Sequence, residues 1–190
     1  ELNRIDPARM VIGSSNVYES LNRGDLLTQV VSPGTMKVDA IYYGGRRMGV
    51  DNPNVLYVAR GNELFYRENA APAPLIATGY AGAELQDVTA NPQDYRSVFV
   101  VTETTVHAST DAGATFTNIT GDLTQVEIRT IEYVPAPTGD VLVIGAAGGV
   151  FATRVATPTM WRRFGTGLPN VPMRDIRLNR ANELSVATLG

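Results

Sequence analysis

The residues in this chain that could carry chemistry are mostly carboxylates and guanidiniums set just ahead of short apolar runs. Asp87 and Asp175 stand directly before Val88 and Ile176, and Asp39 sits one place off the same position, ahead of Ala40-Ile41. Arg129 and Arg174 share the place before that. Two carboxylates about 5–10 Å apart can split a glycosidic bond, one as acid and the other as base or nucleophile. The competing reading is that these charges pair with one another or are solvated. Tyr133 beside Glu132, with Arg129 and Arg174, has the residue types of a tyrosine nucleophile with a partner acid. Adjacent residues on a strand point to opposite faces, however, which separates that pair.

Other features ask for less. His107 is the single histidine, so any scheme needing two is excluded. It aligns with Tyr18, Phe65 and Phe151, which makes it an aromatic-sized packing residue. Gly145-Ala146-Ala147-Gly148-Gly149 lacks the Lys-Ser/Thr ending of a phosphate loop and reads as a hairpin turn. Arg46-Arg47 falls in a long connection, Gly44 to Asn54, and reads as a solvated pair. Asp25 and Asp122 lie in turns without the alternating-Asp spacing of a calcium loop. With no cysteine there is neither a disulfide framework nor a thiolate zinc site. No metal and no cofactor is expected.

Positioning such residues takes a framework, and 190 residues allow one sizeable domain. At 44% apolar and 18% charged the chain is ordinary globular protein. Its net charge of −3 argues against a nucleic-acid partner, and no apolar run is long enough to span a membrane. Short β-rich runs recur between Gly, Pro, Asn and Asp. Val11, Tyr57, Val100, Val143 and Val186 align at steps of 46, 43, 43 and 43 residues. A preceding strand keeps the same beat: Asn3 to Pro7, Ile41 to Tyr43, Val88 to Pro92, Ile131 to Pro135 and Ile176 to Asn179. A following strand begins at Val17-Tyr18, Leu64-Phe65, Val106-His107 and Val150-Phe151. A fourth runs from Leu26 to Val31, Leu75 to Ala77, Thr115 to Ile119 and Trp161 to Phe164. Four short strands per unit of about 40–45 residues is the pattern of a β-propeller blade. One such sheet cannot bury both its faces alone, whereas radial stacking gives each face a neighbour.

The turn after one third strand is the most specific motif. Ser109-Thr110-Asp111-Ala112-Gly113-Ala114-Thr115-Phe116 fits Ser-x-Asp-x-Gly-x-Thr-(Trp/Phe). It resembles the Asp-box, or BNR repeat, of bacterial sialidases, sortilin-type receptors, two-propeller xyloglucanases and a photosystem assembly factor. A weaker copy is Ser20-Leu21-Asn22-Arg23-Gly24-Asp25-Leu26-Leu27. The resemblance implies that Ser109, Asp111, Gly113, Thr115 and Phe116, and Ser20, Asn22 and Gly24, are structural. Asp111 would clamp its turn, Gly113 would supply a positive φ, and the Phe116 ring would pack between sheets.

The expected fold is all-β, a propeller segment of about four and a half blades. Its units run over 1–37, 38–84, 85–125 and 126–170, with an incomplete unit at 171–190. Missing blades or a second copy would complete the ring, because open sheet edges pair readily. The resemblance places ligands on the face that carries the loops before the first strands and between the second and third. Glu103, Arg129 and Arg174 are therefore the candidate ligand-binding residues. The preferred reading is a non-catalytic module that binds a protein or a glycan, extracellular or on a cell surface. The alternative is part of a glycoside hydrolase using Asp39, Asp87 or Asp175.

Overall fold

The computed structural model describes residues 1–30, 37–124, 127–168, 171–179, 181 and 183–188. The described chain is all-β. The first sheet holds β1 (Met10–Gly13), β2 (Val17–Ser20) and β3 (Thr28–Val30). The second holds β4 (Ala40–Arg47), β5 (Val50–Arg60), β6 (Glu63–Arg67) and β7 (Ile76–Ala77). The third holds β8 (Leu85–Asn91), β9 (Asp94–Thr102), β10 (Val106–Ser109) and β11 (Thr117–Asn118). The fourth holds β12 (Thr130–Val134), β13 (Val141–Ala146), β14 (Gly149–Arg154) and β15 (Arg162–Arg163). The fifth is the pair β16 (Met173–Leu178) and β17 (Leu184–Thr188). Every pairing is antiparallel, and within each of these five groups the strands follow chain order, while a single pair between β4 and β9, Arg47 with Asp94, joins the second and third groups into one eight-stranded sheet. This is a partial propeller.

The core lies between the sheets. Tyr57, Leu64 and Tyr66 of the second sheet meet Val88, Val98 and Val100 of the third. Phe99 and Val101, on the other face of the third sheet, meet Leu142, Ile144 and Trp161 of the fourth. Val11 and Val17 meet Tyr43, Leu56 and Phe65, and Val143 and Val150 meet Met173 and Ile176. Successive residues on one strand thus enter different interfaces, which is why the strands read as unbroken apolar runs.

Four sequence expectations are corrected. Pairing of the second strands with the third puts Phe99, not Val100, in register with Tyr57 and Val143, and pairing of the first strands with the second puts Val186 in register with Ile144. The N-terminal strand is reduced to a single bridge, Leu2 to Met10. Asn3 replaces it with a turn: its Oδ1 accepts the N–H groups of Ile5 and Asp6, each at 2.9 Å, and its Nδ2 donates to the Pro53 carbonyl. The connection from Gly44 to Asn54 is no loop but the end of the long β4–β5 hairpin. There Arg46 pairs with Asp51 at 2.6 Å, and Arg47 bridges to Asp94 of the third sheet. The fourth strands are shorter than expected, two or three residues each. Val31, the loop from Ser32 to Met36, the unit border at 125–126 and the Pro169-Asn170 border lie outside the described residues.

Candidate binding site at the channel mouth

The innermost strands β4, β8, β12 and β16 stand side by side around a central channel. At their starting ends the channel opens into a cavity of about 630 Å³. Asp39, Asp87, Arg129, Arg174, Asp175 and Arg177 line it, with Glu1 and Gly13 on the side of the first sheet. The structure therefore brings together all the charges that the alignment placed ahead of the inner strands. Glu103 is exposed in the β9–β10 turn; its carbonyl accepts the Ile128 N–H at 2.9 Å, next to Arg129, but its side chain does not line the cavity.

What these groups touch separates structural charges from available ones. Asp87 is buried, and both its oxygens are engaged. Oδ1 accepts its neighbour's N–H, from Val88, at 2.8 Å. Oδ2 accepts the Thr130 hydroxyl at 2.8 Å, the Ile131 N–H at 3.0 Å and Arg177 Nη1 at 3.4 Å. One carboxylate so ties the third sheet to the fourth and fifth. Burial pushes its pKa up, while Arg177 and these donors pull the other way. Thr130 repeats the pattern one sheet on, its hydroxyl oxygen accepting the Ile176 N–H at 3.2 Å. Ala40 holds the corresponding position in the second sheet and has no acceptor, so the Val88 N–H is served by Asp87 itself.

Asp39 is likewise committed: its Oδ2 accepts the Gly61 N–H at 2.7 Å and holds the β5–β6 turn. Asp175 is half-exposed and pairs with Arg177 at 3.1 Å. Arg129 pairs with exposed Glu127 at 2.9 Å, and Arg174 is exposed on the rim. Deeper in the channel, buried Glu132 pairs with Arg4 at 3.3 Å, and the Arg4 guanidinium lies 4.7 Å from the Tyr42 ring centre. Desolvation raises the Glu132 carboxyl and lifts the Tyr42 phenol to about 12. Tyr133 lies on the other face of β12, in the core against Phe99, with its hydroxyl donating to Asp140 at 2.5 Å. Tyr133 and Glu132 therefore do not converge. Among the described residues no group of three or more His, Asp or Glu comes together to hold a metal ion.

Sequence reasoning missed Thr130, Arg177 and the Arg4–Glu132 pair. Thr130 was detectable, since it shares the alignment position of Asp87 and Asp175. Arg4 and Glu132 are joined only by closure across the channel and carry no local signal.

The two box turns sit at the far ends of their sheets from this mouth. In the third sheet, Ser109 Oγ donates to Asp111 Oδ1 at 2.7 Å and accepts from Gly113 N at 2.9 Å. Asp111 accepts the Thr115 N–H and hydroxyl at 2.9 and 2.6 Å, and these bonds hold its carboxyl down at about 2. The Phe116 ring stands edge-on to Tyr80, 5.3 Å away. His107 packs against the same Tyr80 ring at 5.7 Å and bonds Thr105 at 3.0 Å, so it acts as a packing residue.

No family model matches the sequence, and no curated protein matches it. Solved structures do match in fold. An ancestral GH74 enzyme superposes over 93% of the chain with a TM-score of 0.68 at 16% identity. The Cps50 (Swd1) β-propeller domain from Myceliophteria thermophila covers 99% at 0.74 and 11% identity. YCF48 bound to D1 peptide covers 99% at 0.66 and 10% identity. The chain spans 27%, 61% and 59% of those three chains respectively. At such identities the likeness establishes the architecture alone: this chain has the fold of part of a β-propeller.

Proposed function

We propose that the chain is a non-catalytic propeller module of the Asp-box repeat type that binds a protein partner at the channel mouth. The observation that carries this reading is the saturation of Asp87. A general acid or base needs an oxygen free to meet the substrate, and both oxygens of Asp87 are engaged, Oδ1 by the N–H of the next residue and Oδ2 by donors from the fourth and fifth sheets. One oxygen of Asp39 is committed to the Gly61 N–H. What remains on the rim is Arg174 and the loosely paired Arg129. A polypeptide is favoured over a glycan because, among the described residues, no aromatic ring lines the cavity to lie against a sugar. YCF48, one of the structural neighbours, is bound to a peptide, which supports the reading by analogy. A location outside the cell or on its surface belongs to the same reading.

A peptide library displayed against the purified chain tests it. Selected sequences should bind the native chain and lose at least about tenfold in affinity with Arg129→Ala plus Arg174→Ala. Equal binding by that double variant would place the ligand elsewhere. The alternative, a glycoside hydrolase segment, draws on Asp87 and Asp175 facing one cavity. Turnover of any glycan that vanishes in both Asp87→Asn and Asp175→Asn would establish it instead.

A further inference from the structure

Arg177 serves more acceptors than its bonding nitrogen has hydrogens to offer. Nη1 carries two hydrogens and lies 3.1 Å from Asp175 Oδ1, 3.1 Å from the Ile176 carbonyl and 3.4 Å from Asp87 Oδ2. The Arg177 side chain is half-exposed and lines the channel mouth, whereas that of Asp87 is buried beneath it. The Thr130 hydroxyl stands between the two acids, 2.8 Å from Asp87 Oδ2 and 3.4 Å from Asp175 Oδ1. Its oxygen also accepts the Ile176 N–H at 3.2 Å. The inner strands β8, β12 and β16 thus build one cluster with a hydroxyl at its centre.

A hydroxyl within reach of two carboxylates has two ways to point. With Asp87 ionised it donates to Asp87, and Arg177 is divided between both acids. With a proton on Asp87, the carboxyl O–H donates to Thr130 Oγ1, and the Thr130 hydrogen turns to Asp175. Thr130 Oγ1 then accepts from Asp87 and Ile176 and donates to Asp175, so the hydroxyl and both acids keep partners. Burial favours the protonated form and holds the Asp87 carboxyl above the usual carboxylate range, while Arg177 and the backbone and hydroxyl donors oppose it. The other charges around the cluster are Asp39 ahead of β4, Arg129 and Glu132 on β12, Arg174 on β16, and Glu1 and Arg4 from the N-terminal stretch. Asp39 is bound to Gly61, Arg129 to Glu127, and Glu132 to Arg4. Arg177 is held by the two acids and one carbonyl among the described residues.

We propose that Asp87, Thr130, Asp175 and Arg177 form a proton-operated switch. A proton taken up by Asp87 turns the Thr130 hydroxyl to Asp175 and releases Arg177 to an anionic side chain of the partner at the channel mouth. The inference rests on the mouth being the partner site and adds its regulation. A partner that draws Arg177 away leaves Asp87 holding its proton more tightly. Binding therefore takes up a proton, and affinity rises as pH falls.

The probe is an acetylated peptide of three cysteic acid residues, whose sulfonates stay charged throughout, so that only the protein titrates. Calorimetric titration of the full chain from about pH 8 to about pH 4 should show binding at least about tenfold tighter at the acid end, with uptake of up to about one proton. Thr130→Ser, which keeps the hydroxyl, should behave as the parent. Thr130→Val should lose most of the pH dependence, and Arg177→Gln should bind weakly and almost evenly across the range. Without any probe, the Arg177 Nε–H and Asp87 carboxyl resonances should move together with one midpoint. An Arg177 signal that stays still while Asp87 titrates, an affinity flat with pH, or full pH dependence in Thr130→Val would overturn the switch. Failure of the probe to bind at any pH, with Arg177 and Asp87 still moving together, would sustain the switch and remove the mouth as the partner site.

Discussion

The same turn occurs twice in this molecule, and the two copies differ instructively. In the first sheet, Ser20 Oγ donates to Asn22 Oδ1 and accepts from Gly24 N, each at 2.9 Å, and Asn22 Oδ1 accepts the Leu26 N–H at 3.0 Å. In the third sheet, Ser109, Asp111, Gly113 and Thr115 make the matching bonds. Left-handed backbone falls in the same places, at Arg23 and Gly24 and at Ala112 and Gly113. Asparagine serves as well as aspartate for every bond except the hydroxyl bond from Thr115 to the second oxygen of Asp111. The turn is thus a local device that needs one side-chain oxygen and no charge, and it carries no catalytic meaning. What differs is the support beneath it. The third sheet's turn lies on Gly79 and Thr78, whereas Leu26 and Leu27 of the first sheet's turn are 65% and 45% exposed among the described residues.

The largest expected effect tests that support. Gly79→Ala puts a methyl group into the Ala114 backbone carbonyl, which cannot swing aside as a side chain would, and should lower unfolding free energy by about 3 kcal/mol in a urea titration. Gly167→Ala, with open space around it, should cost about 1 kcal/mol through its positive φ alone. If the two costs match, the box turn is not what presses on Gly79.

Next comes the side chain at the eighth position of each turn, Phe116 in the third sheet and Leu27 in the first. Phe116→Ala removes a half-buried ring stacked edge-on against Tyr80 and should destabilise by about 2 kcal/mol. Leu27→Ala, at the equivalent unsupported place, should stay within about 0.5 kcal/mol. Parallel thermal melts of the two variants read the difference directly.

The smallest effect concerns charge. Because its folded pKa of about 2 lies below the ordinary Asp value of 3.8, the Asp111 turn contributes stability that is present above that range and fades as pH falls toward 2. Asp111→Asn should flatten this part of the acid profile and lower neutral-pH stability modestly, because the Thr115 hydroxyl loses its carboxylate acceptor. Asp87 and Glu132 have raised values and act with the opposite sign: their contribution is greatest in acid and declines as pH rises through their folded pKa values. Carboxyl resonances followed by NMR across the acid range should move in these opposite senses; an Asp111 titrating near 3.8 would remove the clamp from the argument.

Much of the architecture was readable because short apolar runs recur with a fixed beat. The inner-strand positions of Asp87 and Asp175, and of Arg129 and Arg174, converge at one mouth as their alignment implied. The slip between Phe99 and Val100 has a physical cause. A strand buried on both faces lacks the polar alternation that marks register, so either residue fits the pattern. Asn3 reads as part of a strand until its side chain is seen capping two backbone N–H groups. The sealed pairing of Asp87 was hidden for a different reason. Burial and partner count are properties of the assembled sheets, and a carboxylate ahead of a strand looks the same whether it is free or saturated.

The row formed by Asp87 and Thr130 has a mechanical consequence. Each side chain catches the main-chain N–H of the adjoining inner strand, so the angular pitch from one blade to the next is indexed by the backbone rather than by the side chain of the caught residue. A blade transplanted from an unrelated ring would therefore settle at the native spacing if it brought a short oxygen-bearing residue to that one position.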